Sequence, residues 1–397
     1  MRIALIADTF PPLRTSGAVQ LRDLSREFVR QGHALTVMLP TAGLSTPWLL
    51  EEVDGVQVLR LRAPKTKDIN YVSRTINEFL MPFAMLRNLR KSPLARERWD
   101  GVVWYAPSIF LGPIANALKK NSHCKGYLIV RDIFPEWAAD MGLMGRGLPY
   151  KFFKAVANYQ YAVADVIGIQ SPGNQAYFAG AQAAKTEVLQ NWLADAPNTG
   201  CSVSVAGGPL AGRTVFVYAG NMGVAQGMDI LMELAQRLRG RQDIGFLFVG
   251  RGSDAQRLRE DAKARGLDNV VFHDEIDPTE IAGLYAQCHV GIVALDPRHK
   301  THNIPGKFLS YMQAGLPVLA TINAGNDLAA LIQTERVGQV CIDHSVDTLQ
   351  RLAEALVQEL ASDANMSARC RTLSAKLFSP EAAVKQIAAA LANMHLL

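Results

Sequence analysis

A chain of 397 residues is about twice the usual size of one α/β domain, so two packed cores are expected rather than one. Hydrophobic residues make up 49% and charged residues 19%, which excludes a disordered or fibrous chain. The 41 basic and 36 acidic residues leave a net charge of +5, too mild and too dispersed to argue for nucleic acid.

Five cysteines, Cys124, Cys201, Cys288, Cys341 and Cys370, are widely spaced and contain no C-x-x-C, so neither a disulfide framework nor a zinc site is indicated and a reducing cytosol fits. The opening MRIALIADTF is too short for a signal-peptide core and reads as a first β-strand. No apolar run reaches the length of a membrane span, so the expectation is a soluble or peripheral protein.

Along the first half, apolar runs at residues 2–7, 34–39, 56–61, 101–104, 127–130, 166–169 and 186–189 read as strands, with a helix at 18–30 after the first. They are rich in β-branched residues and apolar on both faces, as a parallel sheet covered by helices requires. Residues 191–213 then turn rich in Gly, Pro, Ala and Ser without a period, which marks a linker. Strands at 215–218, 246–249, 270–272, 290–294, 318–320 and near Val340, with helices at 226–238, 254–265 and 305–314, restart the alternation. The expected architecture is two doubly wound domains at 1–192 and 214–378, a linker at 193–213 and a terminal helix at 379–397 that could pack on either half.

Three glycine-bearing turns stand at the start of helices. Residues 9–18, TFPPLRTSGA, offer Ser16 and Gly17 at the turn after the first strand, and read equally as a plain surface loop. Residues 218–227, YAGNMGVAQG, put Gly220, Asn221 and Gly223 at the end of a strand, where main-chain amides can meet a diphosphate. Their spacing departs from G-x-G-x-x-G, and no acidic residue ends the next strand, which disfavours a dehydrogenase. Residues 302–318, HNIPGKFLSYMQAGLPV, place Pro305 at a helix start with Gly306 and Lys307 next; a cation there opposes the helix dipole, so a bound anion explains it better than solvent does.

Arg131 and Asp132 follow the strand at 127–130, and Glu136 begins a helix; Asp132 or Glu136 reads as a base or an acceptor-sugar clamp with Arg131 near a phosphate, or else Arg131 and Asp132 form an ion pair fixing a loop and Glu136 favours its helix dipole. The run at 79–86, FLMPFAML, precedes Arg87, Arg90, Lys91, Arg96 and Arg98 with only Glu97 opposing, which suits an interfacial helix on anionic lipid or a core helix with a basic end.

These islands resemble family 4 glycosyltransferases of GT-B fold. Residues 302–318 are similar to that family's E-x7-E followed by A-x-G-x-P-V, and to the S-K-L-x-E-Y-M-A-A-G-x-P-V of a bacterial subgroup that includes transferases of fucosamine-type sugars. Residues 218–227 resemble the subgroup's Y-A-G-N-x-G-x-A-Q-G, and 130–136, VRDIFPE, its R-D-x-W/F-P-E/D. The resemblance implies a uridine diphosphate sugar donor held in a cleft between the two domains, no metal or other cofactor, retention at the transferred carbon, and an acceptor saccharide on a polyprenyl diphosphate in O-antigen or capsule assembly. It also implies contact with the inner face of the cytoplasmic membrane. His302 and Ser310 stand where the family has its two glutamates, and Val224 and Gln226 where it has an Arg and a Lys, leaving Lys307 and backbone amides, with help from Arg251, to meet the diphosphate. A nucleotide-sugar 2-epimerase shares this plan, and the lost glutamates also admit a non-catalytic nucleotide-sugar binding protein.

Overall fold

The computed structural model describes residues 1–13, 15–140, 142–296 and 304–392. The chain divides into two compact units, Met1–Trp192 with Pro380–Leu397, and Leu193–Ser379.

The first unit runs β1 (Arg2–Ile6), α1 (Ser16–Arg30), β2 (Ala34–Thr41), β3 (Trp48–Val53), β4 (Val56–Arg62), α2 (Tyr71–Leu89), β5 (Gly101–Ala106), α3 (Gly112–Ser122), β6 (Lys125–Val130), α4 (Glu136–Asp140), α5 (Leu148–Val163), β7 (Val166–Ile169) and β8 (Thr186–Val188). Its sheet has the order β3-β4-β2-β1-β5-β6-β7-β8, parallel except where β3 pairs antiparallel with β4 at one edge. Two apolar layers cover the sheet. One holds Met81, Met85, Trp104 and Leu128, and the other holds Leu21, Phe28, Val103 and Tyr127.

The second unit runs β9 (Thr214–Ala219), α6 (Asp229–Arg237), β10 (Ile244–Val249), α7 (Ala255–Ala264), β11 (Val270–His273), α8 (Ile281–Tyr285), β12 (Val290–Ala294), α9 (Gly306–Ala314), β13 (Val318–Thr321), α10 (Asp327–Glu335), β14 (Gly338–Cys341), α11 (Val346–Ser362) and α12 (Met366–Leu377). The sheet order β11-β10-β9-β12-β13-β14 is parallel throughout. Both units are therefore doubly wound α/β layers.

One segment differs from its reading in the sequence, and the last helix takes one of the two places the sequence left open. Residues 193–213 are no free tether: Val203, Val205 and Leu210 are buried in the second core, and the Gln287 side chain donates to the Val203 carbonyl at 2.9 Å while accepting from the Val205 amide at 3.0 Å. The last helix, α13 (Pro380–Ala392), packs on the first unit, with Val384, Ile387 and Leu391 buried beside Leu21 and Phe28. There the Gln386 side chain donates to Glu187 at 2.8 Å and to the Val188 carbonyl at 2.9 Å, so polar ends lock what apolar burial holds.

Removing most of a fully buried side chain leaves a cavity that the neighbours close only in part. Ile387→Ala is expected to destabilise the chain by about 2–4 kcal/mol in a denaturant melt. A melt unchanged by the substitution would contradict the packing of α13 on the first core.

Candidate functional site

Strand β9 ends at Ala219, and the chain turns at Gly220 with φ of +137°, a region open to glycine alone. The following turn is stitched to the one after β10: Gly220 N–H donates to the Val249 carbonyl at 2.9 Å, Met222 N–H to Arg251 at 2.7 Å, and Asp254 N–H to Met222 at 3.0 Å. A Cβ on Gly250 would lie 2.1 Å from the Gly220 oxygen, so the two turns touch backbone to backbone. Gly223 N–H donates to the Gln226 side chain at 3.0 Å, and Asn221 donates to the same oxygen at 3.3 Å. The amides of Gly220, Met222 and Gly223 are thus engaged within the protein, and an anion at this turn meets the lysine beside it first.

That lysine is Lys307. Helix α9 has Pro305 as its N-cap rather than its first helical residue, so Gly306 and Lys307 open the helix, and Gly315 with φ of +79° ends it. Phe308, Leu309, Tyr311 and Met312 bury its inner face. The Tyr311 hydroxyl donates to the Val217 carbonyl at 3.1 Å, and its ring fills the space left by Gly291, where a Cβ would come within 2.3 Å. This anchoring brings Lys307 against the Gly220 turn, its Nζ donating to the Tyr218 hydroxyl at 2.7 Å and lying 3.9 Å from the centre of that ring. Burial pulls the ammonium down to about 8. Among the described residues no carboxylate pairs with it, so the cation is held by a ring and a hydroxyl against the repulsion of the helix end it sits on.

Ser310 lies one turn further along α9, its hydroxyl directed to the Gly306 carbonyl at 3.4 Å. Arg251 points to Glu275 at 3.2 Å and is mostly exposed. His302 lies outside the described residues.

In the first unit, Thr15 caps α1 by accepting from Ala18 N–H at 3.3 Å and meets Thr9 hydroxyl to hydroxyl at 3.0 Å. Ser16 opens the helix, and Gly17 lets it approach Tyr105, whose hydroxyl would stand 3.3 Å from a Cβ there. Arg131 follows β6, its amide donating to the Ala106 carbonyl at 2.9 Å. Burial pulls its guanidinium below the usual arginine range, against the charge of Tyr105 and Asp132. Asp132 is pushed up from the usual carboxyl range by desolvation, against the pull of Arg131. Tyr105 is raised by burial as well, and Arg131, Asp132 and Asp8 all act on it. Gly17, Tyr105, Arg131 and Asp132 therefore share one end of the sheet. Glu136 does not join them: it is buried at the start of α4 and ion-paired with Lys154 of α5.

Two participants were not singled out in the sequence. Tyr218 closes β9 inside a quoted motif, but its partner is 89 residues away. Asp8, two residues after β1, has a buried Oδ1 with no hydrogen-bond partner among the described residues and a carboxyl raised by burial against Lys67 and Arg74. A carboxylate at the carboxyl end of the first strand was the available signal.

Comparison with known proteins fits this geometry. Residues 213–362 match the family model described as "Glycosyl transferases group 1". The chain is 26% identical over 277 residues to "Putative colanic acid biosynthesis glycosyl transferase WcaI" of Escherichia coli K12, covering 64% of this chain and 66% of that relative, just under two-thirds of its length. It is 23% identical over 344 residues to "Probable glycosyltransferase WbjE" of Pseudomonas aeruginosa, covering 83% of this chain and 82% of the relative. The Anabaena protein Alr3699/HepE, solved in complex with UDP, superposes with a TM-score of 0.67 at 15% identity over 99% of this chain and all (100%) of the other. Residues 213–362 are thus similar to a glycosyl transferases group 1 domain, in a chain whose two α/β units carry the GT-B fold.

Proposed function

We propose that this chain transfers a sugar from a uridine diphosphate sugar to a hydroxyl of a saccharide carried on a polyprenyl diphosphate, at the cytoplasmic face of the membrane, in the assembly of a bacterial surface polysaccharide such as O antigen or capsule. The observation that carries the donor reading is Lys307, a desolvated ammonium without a carboxylate partner among the described residues, set beside a glycine turn at a helix start. A diphosphate supplies the missing counter-charge, and no metal is needed for that contact. The name of the Escherichia coli relative, with its colanic acid, supports the polysaccharide setting.

In this reading the second unit holds the donor and the first unit the acceptor. The bond between the anomeric carbon and the β-phosphate oxygen breaks, and a bond forms from that carbon to the acceptor oxygen. With retention, the acceptor proton passes to the leaving diphosphate, so the protein chiefly orients the hydroxyl and stabilises charge. Arg131, Asp132 and Tyr105 are the groups placed to do so in the first unit, with Ser16 and Gly17 at the adjoining helix start. Ser310 is suited to a ribose hydroxyl and Arg251 to the outer phosphate once it leaves Glu275.

Lys307→Ala is expected to weaken UDP binding by roughly 1.5–3 kcal/mol, the worth of a charge-assisted contact. In titration calorimetry, affinity equal to the parent's would remove Lys307 from the donor site. Since the ammonium titrates near 8, parental affinity should fall as pH rises through that value, by up to about tenfold per unit. The Lys307→Ala profile should be flat over the same range, and a parallel decline in both proteins would assign the titration to another group. Asp132→Asn keeps shape and hydrogen bonding while removing charge, so turnover should drop by about 10²-fold or more through lost charge stabilisation, while UDP affinity and Tm stay parental. Unchanged turnover would leave Asp132 as a loop ion-pair partner of Arg131.

A further inference from the structure

The helices α2 and α5 of the first unit present apolar side chains on the wrong side. Along α2, Met81, Met85 and Leu89 face the core, yet Val72, Ile76, Phe79, Leu80 and Phe83 recur at helical spacing on the opposite, exposed side and lead to the exposed Arg87. Along α5, Ala157 and Tyr161 are buried, while Leu148, Phe152, Ala155 and Tyr159 line the exposed side. The two stripes meet, with the Phe79 ring 6.3 Å from Phe152 and 5.9 Å from Phe83. Between them lies a hollow of about 280 Å³ walled by Phe79, Phe83, Phe110, Pro113, Phe152 and Tyr159. Isolated exposed apolar residues need no explanation, but two joined stripes do.

Charge identifies what covers them. Residues 71–91 and 146–162 carry Arg74, Arg87, Arg90, Lys91, Arg146, Lys151 and Lys154 against the single acid Glu78, which pairs with Arg74 at 2.8 Å. Lys154 and Arg146 are held by Glu136 and Asp140 of α4. Arg87, Arg90, Lys91 and Lys151 have no carboxylate partner among the described residues. A second copy of the chain docked here would set two basic rims against each other, whereas an anionic bilayer accepts both the aromatic rings and the cations. Among the described residues no helix is long and apolar enough to cross a membrane, so the contact is one of lying on the surface.

We propose that the joined outer faces of α2 and α5 seat the first unit on an anionic lipid bilayer, with Phe79, Leu80, Phe83 and Phe152 entering the interface and Arg87, Arg90, Lys91 and Lys151 meeting headgroups. This takes from the preceding section only that the acceptor is lipid-linked, and it is read out without donor or acceptor.

The test is co-sedimentation of the full chain with phosphatidylglycerol vesicles and with phosphatidylcholine vesicles, at low and high salt. The parent should bind phosphatidylglycerol. A Leu80→Ser, Phe152→Ser double variant should lose roughly tenfold or more in vesicle affinity at both salt levels, with parental Tm and UDP affinity. Should that variant fail to fold, Val72→Ser with Ile76→Ser, at positions 71% and 54% exposed, makes the same comparison. An Arg87→Ala, Lys91→Ala, Lys151→Ala variant should lose its preference for phosphatidylglycerol, most at low salt. A parent that ignores both vesicles overturns the proposal, as does an apolar variant that binds like the parent. A parent that is dimeric, binds no vesicle and becomes monomeric on the apolar substitutions would make the face a contact between copies. Binding that follows the expected pattern stands whether or not any donor and acceptor pair turns over, so the lipid seat and the transferase reading fail separately.

Discussion

Parallel strands can be joined only by crossovers, and the crossovers cover both faces of the sheet, so a parallel sheet has no wet face on which to place a polar group. Every side chain of β5, β10 and β12 is buried. Chemistry is therefore confined to the strand ends. Asp8 and Thr9 after β1, Arg131 and Asp132 after β6, Gly220 after β9 and Gly250 after β10 all occupy the carboxyl ends of their strands. The sheets exist for packing, and the site residues are what the packing leaves over at one edge.

Lys307 shows what that edge imposes. Its ammonium titrates near 8 in the folded chain against an ordinary 10.5, so between these values the unfolded chain holds a proton that the folded one has lost. Stability consequently rises with pH across that window, and at neutral pH the folded chain keeps a charge that weakens it. The Tyr218 ring and hydroxyl offset only part of this. An anion that reached the lysine would stabilise both the charge and the fold.

The alternation of buried strands with helical periods made both sheets legible, because apolar runs bounded by turns carry that signal directly. Strand β3 escaped it: WLLEEV lies antiparallel at an edge, has no fully buried residue, and is held in part by Glu51 pairing with Arg60 at 2.5 Å, a contact across strands that spacing does not reveal. The segment 193–213 misled through its composition, since its glycines and serines hid three apolar residues that bury one by one. Lys307 was visible as a cation at a helix start, but its Tyr218 partner was not, because their meeting depends on Tyr311 docking α9 onto β9. Glu136 had the residue type and position of a catalytic acid, and only the fold reveals that Lys154, eighteen residues on, takes it up. The outer stripe of α5 was equally unreadable alone, as an apolar helix face is normally a core face.

One chain of contacts joins the outer surface of the first unit to its inner loop. Phe79 meets Phe152, Phe152 meets Phe153 at 5.3 Å, and Phe153 meets Phe134 at 5.2 Å, two residues beyond Asp132. The Lys154 to Glu136 pair fastens the same stretch of α5 to the helix that follows that loop. Rings in van der Waals contact have no slack to absorb a push, since interiors packed at this density are stiff. A continuous row of packed rings thus runs from the outer faces of α2 and α5 to the turn that bears Asp132, and the packing that holds that turn is shared with the surface.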